Sequence, residues 1–499
     1  MYRSGSDRFF TPCMWLYTSK AKKYTIEGKI VLTELERGKR ISMSKINSFL
    51  AVLACKASRW GLRLLRRGGT NIPGQIAMKF DRKILAKTSA GSEVIIVTGT
   101  NGKTTTAHMI EFAMTQAGHE CLANKTGANL LAGITAEFTC NATMSGKARS
   151  KYAVIECDEA ALRHVVPLVN PKVIVVTNLF RDQLDRYGEV MNTLDLIAKG
   201  IEQAPESILC LNGDDSLTAS LATMVKNRSV FFGISAPVGD QKDAEISDAK
   251  YCIKCGEEYK YKYHTYAHLG GYYCPKCGYK RPDPDVEVTD IRQSSFTGSV
   301  IRINVHGKHA EFPVNLPAVY NIYNAAAALS AYMAFGLPAK EMISALGKVK
   351  SSFGRMENFE FNGKNVQMIL VKNPAGCNQV LEYLSEIEED ISVAISLNDN
   401  AADGHDISWI WDVDYESAAA KWKAKNIIVS GTRAEDMMLR LKYAGIPEEN
   451  IIIEKSPEGL VGMVGNLDTP VFIMPNYTSM LTLRELVSSA TGGKEYWKG

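Results

Sequence analysis

The stretch VIIVTGTNGKTTT, residues 94–106, determines the fold of this chain. Val94–Thr98 is a continuous run typical of a strand buried on both faces, and His108–Met114 has the pattern of a helix. A loop with two glycines, a lysine and hydroxyl side chains connects them. Backbone N–H groups at a helix N-terminus, together with a lysine, bind polyphosphates. We therefore expect ATP here, although the eight-residue form GxxxxGK[ST] would place a glycine at Val97.

The loop residues have separate expected roles on a bound polyphosphate. Lys103 should neutralise the β/γ charge, and the Thr104 hydroxyl should ligate Mg²⁺. The alternative is a tight turn without a ligand. The residues predicted to bind the phosphates are Gly99, Thr100, Asn101, Gly102, Lys103, Thr104 and Thr105.

Similar apolar runs recur along the chain, with helical patterns between them, which is typical of parallel sheets with crossover helices. The first series continues through Tyr152–Cys157, Lys172–Asn178 and Ser207–Leu211, and is followed by a helix over Leu316–Phe335. The second series comprises Val366–Val371, Ile391–Leu397, Asn426–Ser430, Ile451–Glu454 and Pro470–Met474. We expect an α/β protein with an ATP-binding domain over 91–355 and a Rossmann-like α/β domain over 356–499.

Composition and charge narrow the class of protein. With 499 residues, 45% hydrophobic and 22% charged, the chain is globular, and no apolar run is long enough for a transmembrane helix. The net charge of +4 divides into +14 over residues 1–90 and −10 over the rest. The eleven cysteines and the lack of a visible signal peptide favour a reducing cytoplasm.

The N-terminal 90 residues are predicted to contain one basic helix. Residues 1–42 are expected to be an extension, non-native or disordered, and residues 43–90 an amphipathic helix and linker. The helix should start near Ile46 and end at Gly68-Gly69. In one interpretation its apolar face packs on the next domain and its charges face solvent. In the other it lies on an acidic membrane surface.

An insert at about 245–285 contains two CxxC knuckles, Cys252-x2-Cys255-x18-Cys274-x2-Cys277. Four cysteines at this spacing predict a structural zinc ribbon, with Gly256 and Gly278 permitting the tight turns. His264 and His268 are expected to be exposed. The alternative is nucleic-acid binding through stacking tyrosines, which are Tyr259, Tyr261, Tyr263 and Tyr266.

The phosphate loop resembles that of the Mur ligase superfamily, ATP-dependent enzymes that activate a carboxylate as an acyl phosphate for attack by an amine. In that family a glutamate at a strand end binds Mg²⁺, and Glu156 has this position; the alternative is a solvated strand end. Further segments that resemble the family are Thr177-Asn178, Asp182-Gln183-Leu184-Asp185 through Gly188, the adenine-side Asn321 and Asn324, and Gly354-Arg355-Met356-Glu357.

The resemblance also implies residue roles. Arg355 should reach the γ-phosphate, whereas Asn321 could instead cap the helix that follows it. Gln183 replaces the histidine of the family's second metal site, so the number of metal ions and the role of Lys199 stay open.

A carboxylate-rich segment, residues 397–412, follows a predicted strand. The alternative for this segment is an Asp-Gly turn followed by a short strand carrying Trp409 and Trp411 on one face. With the zinc ribbon, the segment resembles the MurT family, the synthetase subunits of lipid II isoglutaminyl synthases. The resemblance implies that an aspartate, Asp406 in preference to Asp403, completes the catalytic triad of a separate GatD-like glutaminase, with both tryptophans at the subunit interface.

The reaction implied is amidation of the D-glutamate α-carboxylate in the lipid II stem peptide, on ATP and with ammonia from the partner. Glu156, Lys103 and Arg355 would be catalytic, and nucleic acid would not be a ligand. The protein would be cytoplasmic, at the inner face of the membrane. Cys377 lacks a nucleophile elbow and is expected to be an ordinary thiol. Two alternatives remain: a Mur- or folylpolyglutamate-type ligase adding an amino acid, and a zinc-ribbon nucleic-acid-binding ATPase.

Overall fold

The computed structural model describes residues 25–26, 29–30, 34–64, 71–124, 128–181, 190–236, 248–294, 298–350 and 355–491. The chain divides into two compact units, Met1–Asn47 and Ser48–Gly499. In the first unit, strands β1 (Thr25–Ile26) and β2 (Lys29–Ile30) pair antiparallel. Helix α1 (Glu34–Leu64) begins before the predicted Ile46. Its predicted end at Gly68-Gly69 lies outside the described residues.

The other described helices fall in the second unit. They are α2 (Asn71–Phe80), α3 (Ile84–Thr88), α4 (Lys103–Gln116), α5 (Leu131–Asn141), α6 (Leu162–Val169), α7 (Val190–Ile201), α8 (Ser216–Met224), α9 (Val319–Ala334), α10 (Ala339–Leu346), α11 (Pro374–Ser385), α12 (Tyr415–Lys421), α13 (Ala434–Tyr443), α14 (Pro457–Asn466) and α15 (Tyr477–Ala490). Two short 3₁₀ helices cover Ser408–Asp412 and Glu448–Asn450.

The first large sheet has nine strands, of which seven are parallel. In chain order they are β3 (Glu93–Thr98), β4 (Cys121–Ala123), β5 (Tyr152–Glu156), β6 (Val173–Val176), β7 (Ile208–Asn212), β8 (Ser229–Ile234), β11 (Val286–Ser294), β12 (Gly298–Val305) and β13 (Lys308–Val314). Their spatial order is β13-β12-β11-β8-β7-β6-β3-β5-β4. Strand β12 pairs antiparallel with both β11 and β13.

The first sheet is covered on both faces, as the apolar run of β3 predicts. Ile95 and Val97 pack into one core cluster with residues of α4 and α9, whereas Val94 and Ile96 pack into a second cluster with residues of α5, α6 and α7. Burial on both faces explains why this strand is apolar at successive positions. The C-terminal ends of β3 and β5 consequently meet at one edge of the sheet, where functional loops gather.

The second large sheet has six strands in the order β14-β15-β19-β16-β17-β18. Five are parallel and β14 pairs antiparallel with β15. Their bounds are β14 (Arg355–Phe361), β15 (Lys364–Ile369), β16 (Ile391–Ser396), β17 (Ala424–Ser430), β18 (Ile451–Ile453) and β19 (Val471–Pro475). These two sheets confirm the α/β class predicted from the sequence.

A small hairpin, β9 (Lys260–Tyr266) with β10 (Leu269–Tyr273), lies in the chain between β8 and β11. Because β8 and β11 are parallel neighbours, this cysteine-bearing insert occupies the crossover between them. One local prediction is wrong: the alternative of a short strand bearing Trp409 and Trp411 fails, because Ser408–Asp412 is a 3₁₀ helix.

Candidate functional site

The phosphate loop connects β3 to α4, as predicted. Its two glycines are required because neighbouring residues approach their backbone closely. Gly99 and Gly102 both have positive φ, 114° and 83°. A Cβ on Gly102 would lie 2.0 Å from Oδ1 of Asn324, and one on Gly99 would lie 2.5 Å from Oγ1 of Thr177. Larger residues would therefore clash with side chains that line the site.

The loop is held from the neighbouring strand end by Thr177 and Asn178. The Thr177 hydroxyl and the Asn178 amide both donate to the Asn101 carbonyl, at 2.6 and 3.1 Å. The Asn101 N–H donates in return to Asn178 Oδ1 at 2.9 Å. This pair therefore fixes the backbone that must point its N–H groups at the phosphates, a role that the sequence motif alone did not reveal.

Lys103 is buried at the first position of α4 and is surrounded by acidic groups. Its Nζ donates to Glu159 Oε1 at 2.9 Å and to the Thr100 carbonyl at 3.3 Å. Burial alone would lower the pKa of Lys103, but Glu159, Glu156 and Asp158 raise it above its ordinary value. The lysine is therefore charged at neutral pH, as a group that neutralises phosphate must be.

Thr104 and Glu156, from the loop helix and the end of β5, meet as predicted. The Thr104 hydroxyl donates to Glu156 Oε2 at 2.8 Å, and Asn129 Nδ2 donates to Oε1 at 3.2 Å. Glu156 is buried, so the alternative of a solvated strand end is wrong. A carboxylate and a hydroxyl this close are oxygen ligands of the kind that Mg²⁺ prefers beside a phosphate, and they fit that ion.

A cavity lies beside the loop and is lined by residues from the regions of both large sheets. Asn324 lines it, and Asn321 contributes by accepting the Asn324 Nδ2–H at 3.1 Å. The cap of α9 is Ala318, so the alternative that Asn321 caps this helix is wrong. The lining residues are Asn101, Gly102, Thr105, Tyr266, Tyr320, Asn324, Ile369, Leu370, Lys372, Asn373, Ala375, Gly376, Gln379 and Val380.

Three further residues or segments were predicted to contribute to the site. Arg355 begins β14, but its side chain lies outside the described part of the chain. The segment 182–189, which includes Gln183, also lies outside it. Lys199, the candidate support for a second metal, is exposed on α7.

The two C-terminal aspartates differ in what they contact. Asp403 accepts the N–H and the hydroxyl of Thr478, at 2.8 and 2.5 Å, and so anchors the start of α15. Asp406 is exposed, and its Oδ1 accepts the Ser408 N–H at 2.8 Å. These hydrogen bonds with Ser408 lower the pKa of Asp406. Only Asp406 is thus presented as an exposed, ionised carboxylate.

An aromatic surface borders this segment. Trp411 is exposed and meets Tyr443 edge-on, with ring centroids 5.6 Å apart, and the Arg440 guanidinium lies over the Trp411 ring. Trp409 instead packs partly into the core. Cys377 is buried, which raises its pKa to about 12, as expected for an ordinary thiol.

The sequence matches two family models, the Mur ligase middle domain over residues 97–332 and the MurT ligase C-terminal domain over residues 370–480. The chain is 34% identical over 447 residues to the lipid II isoglutaminyl synthase (glutamine-hydrolyzing) subunit MurT of Streptococcus pneumoniae, covering 89% of this chain and 98% of that protein. The chain belongs to the MurT family. The MurT subunit of Staphylococcus aureus is 35% identical over the same shares of both chains.

Solved structures agree with this MurT assignment at the level of the fold. A pseudomurein peptide ligase type C from Methanothermus fervidus superposes with a TM-score of 0.62 at 20% identity, covering 80% of this chain and 79% of that one. Folylpolyglutamate synthase from Thermotoga maritima superposes with a TM-score of 0.55 at 16% identity, covering 84% and 95%. This MurT-family chain therefore has the Mur ligase fold.

The four knuckle cysteines of this MurT-family protein converge, and their Sγ atoms all lie within 4.8 Å of one another. The Sγ–Sγ distances are 3.5 Å for Cys252 and Cys277 and 3.4 Å for Cys255 and Cys274. A tetrahedron of thiolates around zinc has edges of about 3.8 Å, so the cluster fits that ion. Both knuckle glycines have the positive φ expected of them.

The cysteine-bearing hairpin of the MurT-family chain is fixed to the first large sheet through buried polar contacts. The prediction that His268 is exposed is wrong, because its Nε2 lies 3.3 Å from Asp215 Oδ1 in the interior. Thr265 and Tyr323 share a hydroxyl hydrogen bond of 2.6 Å. Tyr266 is buried in the same region, where it is unavailable for stacking on a nucleic acid.

Sequence reasoning missed three groups at the MurT nucleotide site. Glu159 pairs with Lys103, and Tyr266 of the hairpin and Asn373 of the second sheet both line the cavity. Glu159 stands three residues after Glu156, so its acidity was a usable signal. The other two come from segments that only the tertiary fold brings to the loop.

Proposed function

We propose that this protein is the synthetase subunit of a lipid II isoglutaminyl synthase. It would amidate the α-carboxylate of D-glutamate in the lipid II stem peptide, giving D-isoglutamine for peptidoglycan synthesis. One observation carries the proposal: a Mur-type phosphate loop and an exposed aspartate in a MurT C-terminal segment occur in one chain. Both relatives are named as the MurT subunit of a glutamine-hydrolyzing lipid II isoglutaminyl synthase.

In the first step a carboxylate oxygen of the substrate attacks the γ-phosphorus of ATP. The bond from that phosphorus to the β–γ bridging oxygen breaks, and ADP leaves with the electron pair. Lys103 would hold the charge on the β and γ phosphates, and the loop N–H groups fixed by Thr177 and Asn178 would orient them. Thr104 and Glu156 would hold Mg²⁺, which neutralises phosphate charge when bound.

In the second step ammonia attacks the carbonyl carbon of the acyl phosphate. A C–N bond forms, the C–O bond to phosphate breaks, and the proton lost by the nitrogen passes to the inorganic phosphate that leaves. Glu159, which pairs with Lys103, is a further acidic group beside the phosphate loop. Arg355 at the start of β14 would reach the γ-phosphate, as the family resemblance implies.

Ammonia would come from a GatD-like glutaminase subunit. Asp406 would orient the histidine of that partner, since a triad needs an ionised carboxylate as its third member. Its exposure and lowered pKa support this assignment over Asp403, whose oxygens are used by Thr478. The exposed Trp411 and Tyr443 beside it suit the centre of a subunit interface.

The remaining assignments concern the domain boundaries, the bound metal and the location of the protein in the cell. We assign the ATP-binding domain to residues 91–355 and the glutaminase-contacting domain to 356–499. The four-cysteine cluster would hold a structural zinc ion, since its four thiolates complete a tetrahedral site. The protein would act in the cytoplasm, at the membrane face that carries lipid II.

The test supplies the purified protein with ATP, a lipid II analogue and one nitrogen source at a time. Ammonium should support ADP release and a product in which a carboxylate has become an amide, identified by mass spectrometry. Glutamine should do so only when the glutaminase subunit is added. A product formed with amino acids and not with ammonium would refute amidation and favour the amino-acid-adding alternative.

A further inference from the structure

From Ser48 onward helix α1 belongs to the second unit, and this part packs within that unit through small and charged residues. Over the part from Ser48 onward, Ala51, Val52 and Cys55 are fully buried and form a small core with Ala77 of α2 and Ala136 of α5. Large side chains would not fit between helices that approach this closely.

Charged residues add to this docked face. The Lys56 ammonium donates to the Ala142 carbonyl at 2.7 Å, and Arg59 forms an ion pair with Glu137 of α5. The interpretation that this helix packs on the domain that follows is confirmed, but the expectation that its charges face solvent is wrong for Lys56 and Arg59. The face that carries Lys56 and Arg59 is docked, and the face that carries the large apolar residues is exposed.

The large apolar residues of α1 point away from the body of the protein. We name the following residues, which are between 39% and 70% exposed, the outer stripe: Phe49, Leu50, Leu53, Trp60 and Leu64. At about 100° per residue they fall within an arc of about 100° on one side of the helix. The buried Ala51 and Cys55 fall on the opposite side. A helix between protein and water normally has the reverse arrangement.

Helix α2, which follows α1 in the chain, also exposes large apolar residues. It joins the same small core through Ala77, and it exposes Ile72 and Phe80, at 47% and 46%. The exposed apolar residues at this end of the protein thus come from two helices. Clustered exposure of large apolar residues marks an interaction surface rather than ordinary scatter.

The charge around the stripe indicates the kind of surface that it binds. From Arg37 to Phe80 the sequence has ten Lys and Arg residues and no Asp or Glu. Arg63 is exposed next to the edge of the stripe, where a long cationic side chain can reach lipid phosphates while its stem covers apolar surface. An apolar stripe with basic and no acidic neighbours complements an anionic bilayer.

We propose that the outer stripe inserts into the headgroup–acyl boundary of an anionic bilayer and holds the enzyme on it. In the described part of the chain no helix has the length and apolar character needed to cross a bilayer. Because the large apolar residues of the stripe lie on one side of α1, this helix would lie along the bilayer surface. The proposal deepens the proposed function, because a lipid-linked substrate would then lie within reach of the bound enzyme.

Vesicle binding by the full-length protein tests this directly and needs no substrate. The probes are vesicles of phosphatidylglycerol and phosphatidylcholine in equal amounts, and vesicles of phosphatidylcholine alone. The variant Phe49→Ser/Leu53→Ser/Trp60→Ser should bind the anionic vesicles at least about tenfold more weakly than the wild type. A matched control, Met191→Ser/Met224→Ser/Ile452→Ser, changes equally exposed apolar residues elsewhere and should bind within about twofold of the wild type.

A second measurement locates the stripe without destabilising the helix. Brominated lipids should quench tryptophan fluorescence of the wild type, and the quenched component should be missing from Trp60→Phe. Vesicle binding that the triple variant retains, or quenching that Trp60→Phe retains, would overturn the proposal. Loss of self-association or of a protein complex in the triple variant, with no vesicle binding by the wild type, would instead assign the stripe to a protein.

The amidation assay separates this proposal from the proposed function. With lipid II embedded in vesicles, the triple variant should be slower at low vesicle concentration. With a short-chain, water-soluble analogue it should match the wild type. If neither substrate is amidated by any variant, the proposed function fails while the vesicle-binding result still stands. If vesicle binding fails while both substrates are amidated alike, only the membrane contact is refuted.

Discussion

Asn373, at the start of the second sheet's first helix, donates from Nδ2 to Asn101 Oδ1 in the phosphate loop, at 3.0 Å. Its own Oδ1 accepts the Gly376 N–H at 2.9 Å and so caps α11. One side chain therefore caps the start of a helix beside the C-terminal sheet and contacts the phosphate loop. The two halves of the chain meet at this loop.

This dual role predicts different effects for two substitutions. Asn373→Ser keeps a good capping oxygen but is too short to reach Asn101, so the KM for ATP should rise by about fivefold at unchanged thermal stability. Asn373→Ala should raise KM similarly and also lose about 1 kcal/mol of stability. Steady-state kinetics and thermal melting measure the two effects. An unchanged KM in Asn373→Ser would show that the contact does not support nucleotide binding.

The sequence predicted the phosphate loop well because its chemistry is local. Strand, glycines, lysine and helix are consecutive, and Glu156 follows from its place at a strand end. Asn373 and Tyr266 could not be predicted, since only tertiary packing brings them to the cavity. The same holds for His268, which pairs with Asp215 in the interior rather than facing solvent.

The outer stripe shows a different limit of sequence reasoning. Hydrophobic periodicity identified the helix and its apolar face. It could not show which face docks, because that depends on the close approach of Ala51 and Cys55 to α5. The rule that apolar residues point inward gave the wrong orientation.

Removing the phosphate machinery should stop the reaction with every nitrogen source. Lys103→Ala and Glu156→Ala should each reduce ADP release by roughly a thousandfold or more, with ammonium and with glutamine, because both act before nitrogen enters. Glu120→Ala, which changes an exposed acidic residue just before β4, serves as the control and should be fully active. A variant that lost only glutamine-dependent turnover would contradict the assigned roles.

Substitutions of Asp403 and Asp406 should have different effects on activity and stability. Asp406→Asn should abolish amidation from glutamine and spare amidation from ammonium, because it leaves the ATP site untouched. Asp403→Asn weakens the contacts with Thr478 and should cost about 1–2 kcal/mol of stability. Both nitrogen sources are tested in the two-subunit complex, with urea unfolding for stability. Loss of both activities in a well-folded Asp406→Asn would mean that this loop serves the synthetase instead.

Asp215 predicts a pH dependence of stability. Burial would raise its pKa, but hydrogen bonds from His268, Thr218 and the Leu179 N–H lower it below the ordinary 3.8. A depressed carboxyl pKa stabilises the fold above the unfolded-state value, and this stability is lost as pH falls through the folded-state value. Asp215→Asn should therefore be about 2 kcal/mol less stable at pH 7. Urea unfolding should show the difference shrinking below pH 3.8; a constant difference would contradict it.

Loss of the metal from the cysteine cluster should weaken ATP binding, because Tyr266 connects the hairpin to the cavity. The cluster ties both knuckles to the hairpin, and the hairpin places Tyr266 in the wall of the ATP cavity. Cys252→Ser should therefore lose bound zinc, lower the melting temperature and raise the KM for ATP, whereas Cys121→Ser, outside the cluster, should keep its zinc. Metal content by mass spectrometry and ATP kinetics measure both effects. A zinc-free protein with wild-type KM would show that the hairpin keeps its position without the ion, through the contacts of His268 and Thr265.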